Sequence, residues 1–124
     1  MLDFMRTDCP HCVALSKVLE EVQKQFGQKV AVLGIVTSPP ETTVTVGKYQ
    51  AANKVTSAIV FDLSQVAMAY FKATPSTAGF DTPHLFVIDP NGKIVRDWAD
   101  TDQTKEIMEG AGLAKELQVL MRTP

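Results

Sequence analysis

The feature that most constrains how this chain can fold is a pair of cysteines placed between an apolar segment and a helical pattern. The apolar character of residues 1–5 predicts a short buried strand. Over residues 10–26, apolar side chains recur at helical spacing, and Pro10 is favoured in the first turn of such a helix. Cys9 therefore stands where the strand gives way to the helix, and Cys12 follows one turn later. This order favours a βα unit.

Strands and helices continue to alternate along the rest of the chain. A nearly continuous apolar run at residues 30–36 is typical of a strand buried on both faces. The pattern also predicts a helix near 41–53, a strand at 57–61, a helix from Ser64, a loop at 73–83, a hairpin pairing 85–88 with 93–98, and a helical segment at 103–122 broken by Gly110 and Gly112. Such alternation predicts an α/β fold, with a mixed central sheet covered by helices on both faces.

Length and charge narrow the class of protein. The 124 residues suit a single domain spanning 1–124, and the net charge of -2 leaves no broad basic field for nucleic acid. No apolar run approaches the ~18 residues that cross a bilayer. No basic segment precedes an apolar stretch, as it would in a secretory signal peptide. Because the first residues already have the pattern of a strand, we expect that a leader, an anchor or extra strands once preceded them.

The chemistry of the two cysteines follows from their position. They are three residues apart, which is too close to stabilise a fold by closing a long loop. A cysteine at a helix start meets free backbone N–H groups and the positive end of the helix dipole, which stabilise a thiolate. A second thiol one turn later can attack a mixed disulfide and release the substrate. We therefore predict that Cys9 attacks and that Cys12 resolves.

His11 stands between the cysteines, where it adds a donor or a positive charge beside the Cys9 sulfur. It should favour the thiolate and make the disulfide more oxidising, whereas the neighbouring Asp8 acts in the opposite direction. A zinc site would need two more ligands, and His11 and His84 are the only imidazoles. Two inert buried thiols are a further alternative. Redox chemistry is the stronger interpretation, and we expect neither a metal nor a cofactor.

Several segments together resemble one known family. Residues 3–12, Asp-Phe-Met-Arg-Thr-Asp-Cys-Pro-His-Cys, resemble the active-site segment of the thioredoxin superfamily, in which Asp-Phe-Trp precedes the cysteines at the same distance. Residues 82–95 resemble the cis-proline strand and hairpin of its TlpA/ResA branch. Residues 61–63 with 67–71 resemble the extra strand and helix of that branch. The resemblance covers roughly residues 2–98 and implies a thioredoxin fold with an inserted strand–helix element.

The resemblance also implies roles for individual residues. Pro83 would be the cis-proline that faces the disulfide, with Thr82 presenting backbone groups to a substrate chain. Asp3 would be the buried carboxylate that handles the proton of Cys12. Met5 departs from the family, which usually has Trp at that position, and this leaves the substrate preference open.

The activity implied by the resemblance is that of a thiol–disulfide oxidoreductase, which exchanges the Cys9–Cys12 pair with cysteines of substrate proteins. TlpA/ResA proteins are extracytoplasmic. We therefore expect a periplasmic or membrane-anchored monomer and a redox partner, in the membrane or outside it, that recycles the pair. The direction of electron flow stays open, because Pro10-His11 is the dipeptide of the DsbA oxidases whereas the TlpA/ResA resemblance favours a reductase.

Two other functions compete with this one. A peroxiredoxin-like thiol peroxidase would have a related fold, but its Thr-x-x-Cys pattern is missing because Arg6 lies three positions before Cys9. A non-catalytic module that binds a metal or a partner is the second alternative. We also predict that His84 is a surface residue of its strand rather than a catalyst.

Overall fold

Five strands form one mixed sheet in the computed structural model, which describes residues 1–72 and 81–122. In chain order they are β1 Leu2–Phe4, β2 Leu33–Thr37, β3 Ala58–Asp62, β4 His84–Ile88 and β5 Ile94–Ala99. Their spatial order is β3-β2-β1-β4-β5. The pairs β1–β2 and β2–β3 are parallel, whereas β1–β4 and β4–β5 are antiparallel. The predicted mixed sheet is therefore confirmed.

The helices of the described residues connect or cover these strands. They are α1 Pro10–Phe26, α2 Thr43–Asn53, α3 Gln65–Phe71, α4 Lys105–Glu109 and α5 Gly112–Arg122. The first two join neighbouring parallel strands in the same direction across the sheet, and right-handed crossovers place both on one face. None of the helices in the described part of the chain is long and apolar enough to cross a membrane.

The core has two layers, one on each face of the sheet. Because successive strand residues point to opposite faces, Leu85 and Val87 pack against α1, α4 and α5, while Phe86 points the other way. The second face is covered by α3, whose Tyr70 and Phe71 pack against Phe86 and its neighbours. Helices thus lie on both faces, and β3 with α3 forms the predicted strand–helix element between β2 and β4.

One boundary differs from the prediction in a way that the register explains. The apolar run at 30–36 was expected to be strand throughout, but β2 begins at Leu33, which pairs with Leu2 of β1. Residues 27–29 form a single turn of 3₁₀-helix, and Val30 and Val32 pack half-buried against the α1 side of the core. The apolar side chains of Val30 and Val32 therefore indicate that these residues are partly buried, not that they belong to a strand of the sheet. Most of the loop predicted at 73–83, residues 73–80, lies outside the described residues.

Candidate active site

The antiparallel pairing of β1 with β4 brings two distant segments together. Phe4 at the end of β1 lies opposite His84 at the start of β4, so the chain after β1 meets the chain before β4. Cys9 and the Thr82–Pro83 segment therefore face each other beyond the ends of these two strands. The Cys9 thiol donates a hydrogen bond to the carbonyl oxygen of Thr82 over 3.6 Å. The Thr82–Pro83 peptide bond is cis, and Pro83 is buried.

Cys9 caps the N-terminus of α1. Its backbone is extended, with φ -111° and ψ 112°, and its Sγ accepts a hydrogen bond from the backbone N–H of Cys12 at 3.2 Å. Pro10 occupies the first helical position and is exposed. Both cysteines are free thiols, and Cys9 is half-buried. The sulfur of Cys9 thus satisfies one of the free N–H groups of the helix start, in the position normally taken by a side-chain oxygen.

Cys12 is fully buried, in a cluster with Met5 and Tyr49. Burial, followed by the hydrogen bond with Cys9, raises the pKa of the Cys12 thiol far above its ordinary value. The Tyr49 hydroxyl donates to the carbonyl oxygen of Cys12 over 3.3 Å, and burial raises the pKa of Tyr49 to about 12. Cys12 is therefore a neutral thiol at physiological pH, whereas the accessible sulfur belongs to Cys9.

Asp3 lies within the protein on the face of β1 that α1 covers. Its side chain is 3% exposed, and in the described part of the chain no hydrogen-bond partner reaches its Oδ1. Burial raises the pKa of Asp3 to about 7. A cavity of about 10 Å³ adjoins it, with Ser16 and Tyr49 among the lining residues. The predicted burial of this carboxylate is thus present, and its proton can be gained or lost near neutral pH.

His11 extends from the start of α1 toward the segment that follows β5. Its Nδ1 and the Oδ2 of Asp100 share a hydrogen bond of 2.5 Å. That hydrogen bond, then the charge of Asp100, raises the pKa of His11, and the more distant Glu109 adds to the effect. Asp100 lies 89 positions from His11, so no local sequence pattern could have paired them.

A buried carboxylate holds the loop that precedes Cys9. Glu41 accepts hydrogen bonds from the backbone N–H and the hydroxyl of Thr7, at 2.7 and 2.8 Å, and from the hydroxyl of Thr45 at 2.8 Å. Glu41 is buried. Nothing in the sequence marks Glu41 as part of the site, because an acidic residue just before a helix has the pattern of an exposed helix start.

The prediction that His84 is a surface residue was wrong. Its side chain is 15% exposed and hydrogen-bonds Asp97 on β5. The ring of Phe71 meets it edge-on at 4.7 Å, and the ring of Phe86 stacks on it at 4.8 Å. The reason is that α3 covers this face of β4, so a residue expected to meet solvent is enclosed by aromatic rings.

A groove of about 610 Å³ lies next to the segment that precedes Cys9, although neither cysteine lines it. Its lining includes Asp8 and Thr82, which flank Cys9, together with Arg6, Glu41 and Ser64. Among residues 1–72 and 81–122, no group of three or more His, Cys, Asp or Glu side chains could hold a metal ion. The site therefore consists of a half-exposed thiol, a buried thiol, a buried carboxylate and an adjacent groove.

The fold and this site define a thioredoxin-like protein with a Cys-x-x-Cys pair. Residues 1–97 match the AhpC/TSA family, and the chain belongs to that family. No curated protein sequence is significantly similar to the chain.

Several solved structures have the same fold as this chain, and two of those described below are named for thiol–disulfide exchange. The thioredoxin domain of a thiol-disulfide oxidoreductase from Bacteroides vulgatus is 22% identical with a TM-score of 0.66, covering 88% of this chain and 77% of that one. A thiol:disulfide interchange protein of the thioredoxin family from Chlorobium tepidum TLS is 19% identical with a TM-score of 0.67, covering 88% and 78%. StoA from Bacillus subtilis is 19% identical with a TM-score of 0.63, covering 87% and 78%. At these identities the likeness establishes the fold.

Proposed function

We propose that this protein is a thiol–disulfide oxidoreductase whose working group is the Cys9–Cys12 pair. The observation that carries the proposal is the contrast between the two thiols. Cys9 is half-buried at the helix start and bonded to the N–H of Cys12, while Cys12 is fully buried. The names of similar structures, a thiol-disulfide oxidoreductase and a thiol:disulfide interchange protein, support the same reaction class.

In the reductase direction, the Cys9 thiolate attacks one sulfur of a substrate disulfide. A Cys9–substrate disulfide forms, and the other substrate sulfur leaves as a thiolate that takes up a proton. Cys12 then loses its proton and attacks the Cys9 sulfur, which releases the second substrate thiolate. Two electrons and two protons pass to the substrate, and a Cys9–Cys12 disulfide remains. The oxidase direction is the reverse of these steps.

The resolving step needs a proton acceptor, because burial raises the pKa of Cys12. Asp3 is suited to this role, since burial raises its own pKa to about 7 and it is half-ionised near neutral pH. The charges of Asp3 and Cys12 both act on the Tyr49 hydroxyl, so the two groups share one buried neighbourhood. Asp3 would accept the proton that leaves Cys12 and return it in the reverse reaction.

Substrate would approach Cys9 along the groove beside Thr82. The Thr82 carbonyl already accepts a hydrogen bond from Cys9, and an extended substrate chain could use the same oxygen for one of its backbone N–H groups. Pro83 has no N–H of its own to compete for the sulfurs. Cysteine-containing proteins are thus the proposed substrates, and residues 1–124 would act as one thioredoxin-like domain, monomeric and extracytoplasmic, recycled by a separate redox partner.

The test compares disulfide exchange with peroxide consumption in the same preparation. Free thiols are counted before and after the protein is treated with a reductant. Three further quantities are then measured: the reduction of a disulfide-bonded substrate protein, the consumption of hydrogen peroxide and the content of bound metal. Reversible oxidation of two thiols with disulfide exchange supports the proposal, and Cys9→Ala should abolish the exchange. Peroxide consumption without exchange would instead identify a thiol peroxidase. A protein that holds metal and exchanges nothing would be a binding module.

A further inference from the structure

His11, which lies between the two cysteines, is held by a carboxylate from the opposite end of the chain. The hydrogen bond between His11 Nδ1 and Asp100 Oδ2 joins the start of α1 to the segment that follows β5. The two side chains differ in exposure. The carboxylate is 16% exposed and the imidazole is 63% exposed. The better-enclosed Asp100 is therefore the fixed partner, and it restrains a ring that would otherwise rotate in solvent.

The charges around His11 favour its protonated form. Among the groups that face His11, Asp100 acts most strongly and Glu109 of α4 adds to it. Cys9 caps the helix that carries His11, and Cys12 lies one position after His11 in that helix. Both carboxylates raise the pKa of His11, and its small desolvation does not offset them. The imidazolium of His11, in the first turn of α1, thus persists to higher pH than in a free histidine.

We propose that Asp100 is a positioning residue for the redox reaction, which acts by holding His11 oriented and charged in the first turn of α1, between Cys9 and Cys12. This inference rests on the proposed oxidoreductase function. Asp100 does not touch substrate or the reacting sulfurs, and it acts through the imidazole. Removal of Asp100 should therefore shift the equilibrium between dithiol and disulfide, while the protein still carries out thiol–disulfide exchange.

The relevant equilibrium is exchange with glutathione. The protein disulfide and two glutathione thiols yield the protein dithiol and one glutathione disulfide, so two electrons and two protons enter the protein. A charged His11 favours the reduced side, because the reduced protein can release one of these protons to form a thiolate on Cys9, whereas the disulfide cannot carry a charge. If Asp100 is removed, His11 loses its proton at a lower pH, and the stabilisation of the reduced state by the charged imidazole is lost at the same pH.

The test uses Asp100→Asn with Asp102→Asn as the matched control. Asp102 is exposed, lies two residues further along and carries the same charge, so its removal reports the general effect of losing one carboxylate. The titration of His11 is followed by NMR, and the glutathione equilibrium constant is measured between about pH 5.5 and 8.5, where imidazoles titrate. Both carboxylate variants are also made in a His11→Asn background.

The expected result is a lower titration midpoint for His11 in Asp100→Asn but not in Asp102→Asn. Between the wild-type and variant midpoints, the equilibrium should move toward the disulfide by roughly twofold to fivefold relative to the control, as suits a partly exposed charge pair. In the His11→Asn background this difference should disappear.

Three outcomes would overturn the inference, and they are distinguishable. If the wild-type protein does not equilibrate with glutathione at all, the proposed function fails and the inference fails with it. If the wild type equilibrates normally while Asp100→Asn matches Asp102→Asn at every pH, Asp100 has no positioning role and the oxidoreductase function stands. A difference that survives in the His11→Asn background would also contradict the inference, because Asp100 would then act without the imidazole.

Discussion

The sulfur of Cys9 accepts a hydrogen bond from the backbone N–H of Cys12, 3.2 Å away, so the two residues are linked even as free thiols. One contact therefore holds the attacking sulfur at the N-terminus of α1, against the backbone of the resolving residue. The N–H that would stabilise a thiolate on Cys9 belongs to the residue that must later attack it. This arrangement explains why a pair spaced three apart serves exchange better than it would serve as a structural cross-link.

Asp3 should make folding stability depend on pH. Its pKa is raised from 3.8 to about 7 in the folded protein, so the folded state disfavours the charged carboxylate. The contribution of Asp3 to stability is therefore most favourable at low pH, where the group is protonated in both states, and it declines as the pH rises from about 4 to 7. The lost stability amounts to about 4 kcal/mol. Asp3→Asn should be more stable than the wild type by roughly 2–4 kcal/mol at about pH 8 and nearly equal to it at about pH 4.

Urea unfolding of the reduced proteins at these two pH values measures the effect. Asp102→Asn is the control, because it makes the same substitution at an exposed aspartate. If the free energy of unfolding of the wild type does not fall from about pH 4 to about pH 8, ionisation of Asp3 costs the folded protein no stability. That result would contradict the pKa shift expected from its burial.

Asp3→Asn should also slow the resolving step. An asparagine cannot accept the proton of Cys12, so the mixed disulfide should decay more slowly by roughly 10²-fold or more, while the first attack by Cys9 is little changed. Rapid-quench analysis of a reaction with a single-disulfide peptide separates the two steps. Equal slowing of both steps would point to a general disturbance of the site, and no slowing of release would remove Asp3 from proton transfer.

The hydrogen bonds of Glu41 should contribute more stability than a similar set elsewhere. Glu20 accepts from the N–H and the hydroxyl of Thr56, both at 2.8 Å, as Glu41 does from Thr7, but those bonds are exposed. Glu41→Ala removes a buried carboxylate from the part-buried donors of Thr7 and should cost roughly 2–4 kcal/mol, against about 1 kcal/mol or less for Glu20→Ala.

Chemical unfolding of the two glutamate variants gives the comparison directly. Glu41→Ala should in addition reduce the rate of exchange, because the loop before Cys9 loses its attachment to Thr45 and α2. Similar losses of stability in both variants would mean that burial adds nothing to the Glu41 contacts.

Local patterns in the sequence predicted much of the fold. Helix α1 runs from Pro10 to Phe26 as its spacing and its proline indicated, and the hairpin formed around the Asp-Pro-Asn-Gly turn. The formation of helix α1 and of this hairpin depends on residues that are close together in the sequence, so local patterns are enough to predict both. Burial could be predicted less well, since the apolar run at 30–36 contains residues that pack without pairing, and His84 is enclosed by a helix that local sequence could not place above it.

The supporting residues of the site were beyond prediction for a related reason. Asp100, Glu41 and Tyr49 reach the redox helix or its preceding loop only after the chain has folded. None of them belongs to a motif, and each contact spans more than thirty positions. Cys9 and Cys12 could be identified because their spacing and their place at a helix start are local features, and Asp3 because residues 3–12 resemble the active-site segment of the thioredoxin superfamily. Residues held by long-range contacts carry no such signal.

Trapping of mixed disulfides by the two cysteine variants tests the central claim most directly. The variants are expressed in an oxidising compartment and separated on non-reducing gels. Cys12→Ala should accumulate covalent complexes with substrate proteins that disappear on reduction, because Cys9 still attacks and nothing inside the protein releases it. Cys9→Ala should trap almost nothing, because Cys12 is fully buried. Equal trapping by both variants, or trapping by Cys9→Ala alone, would contradict the account.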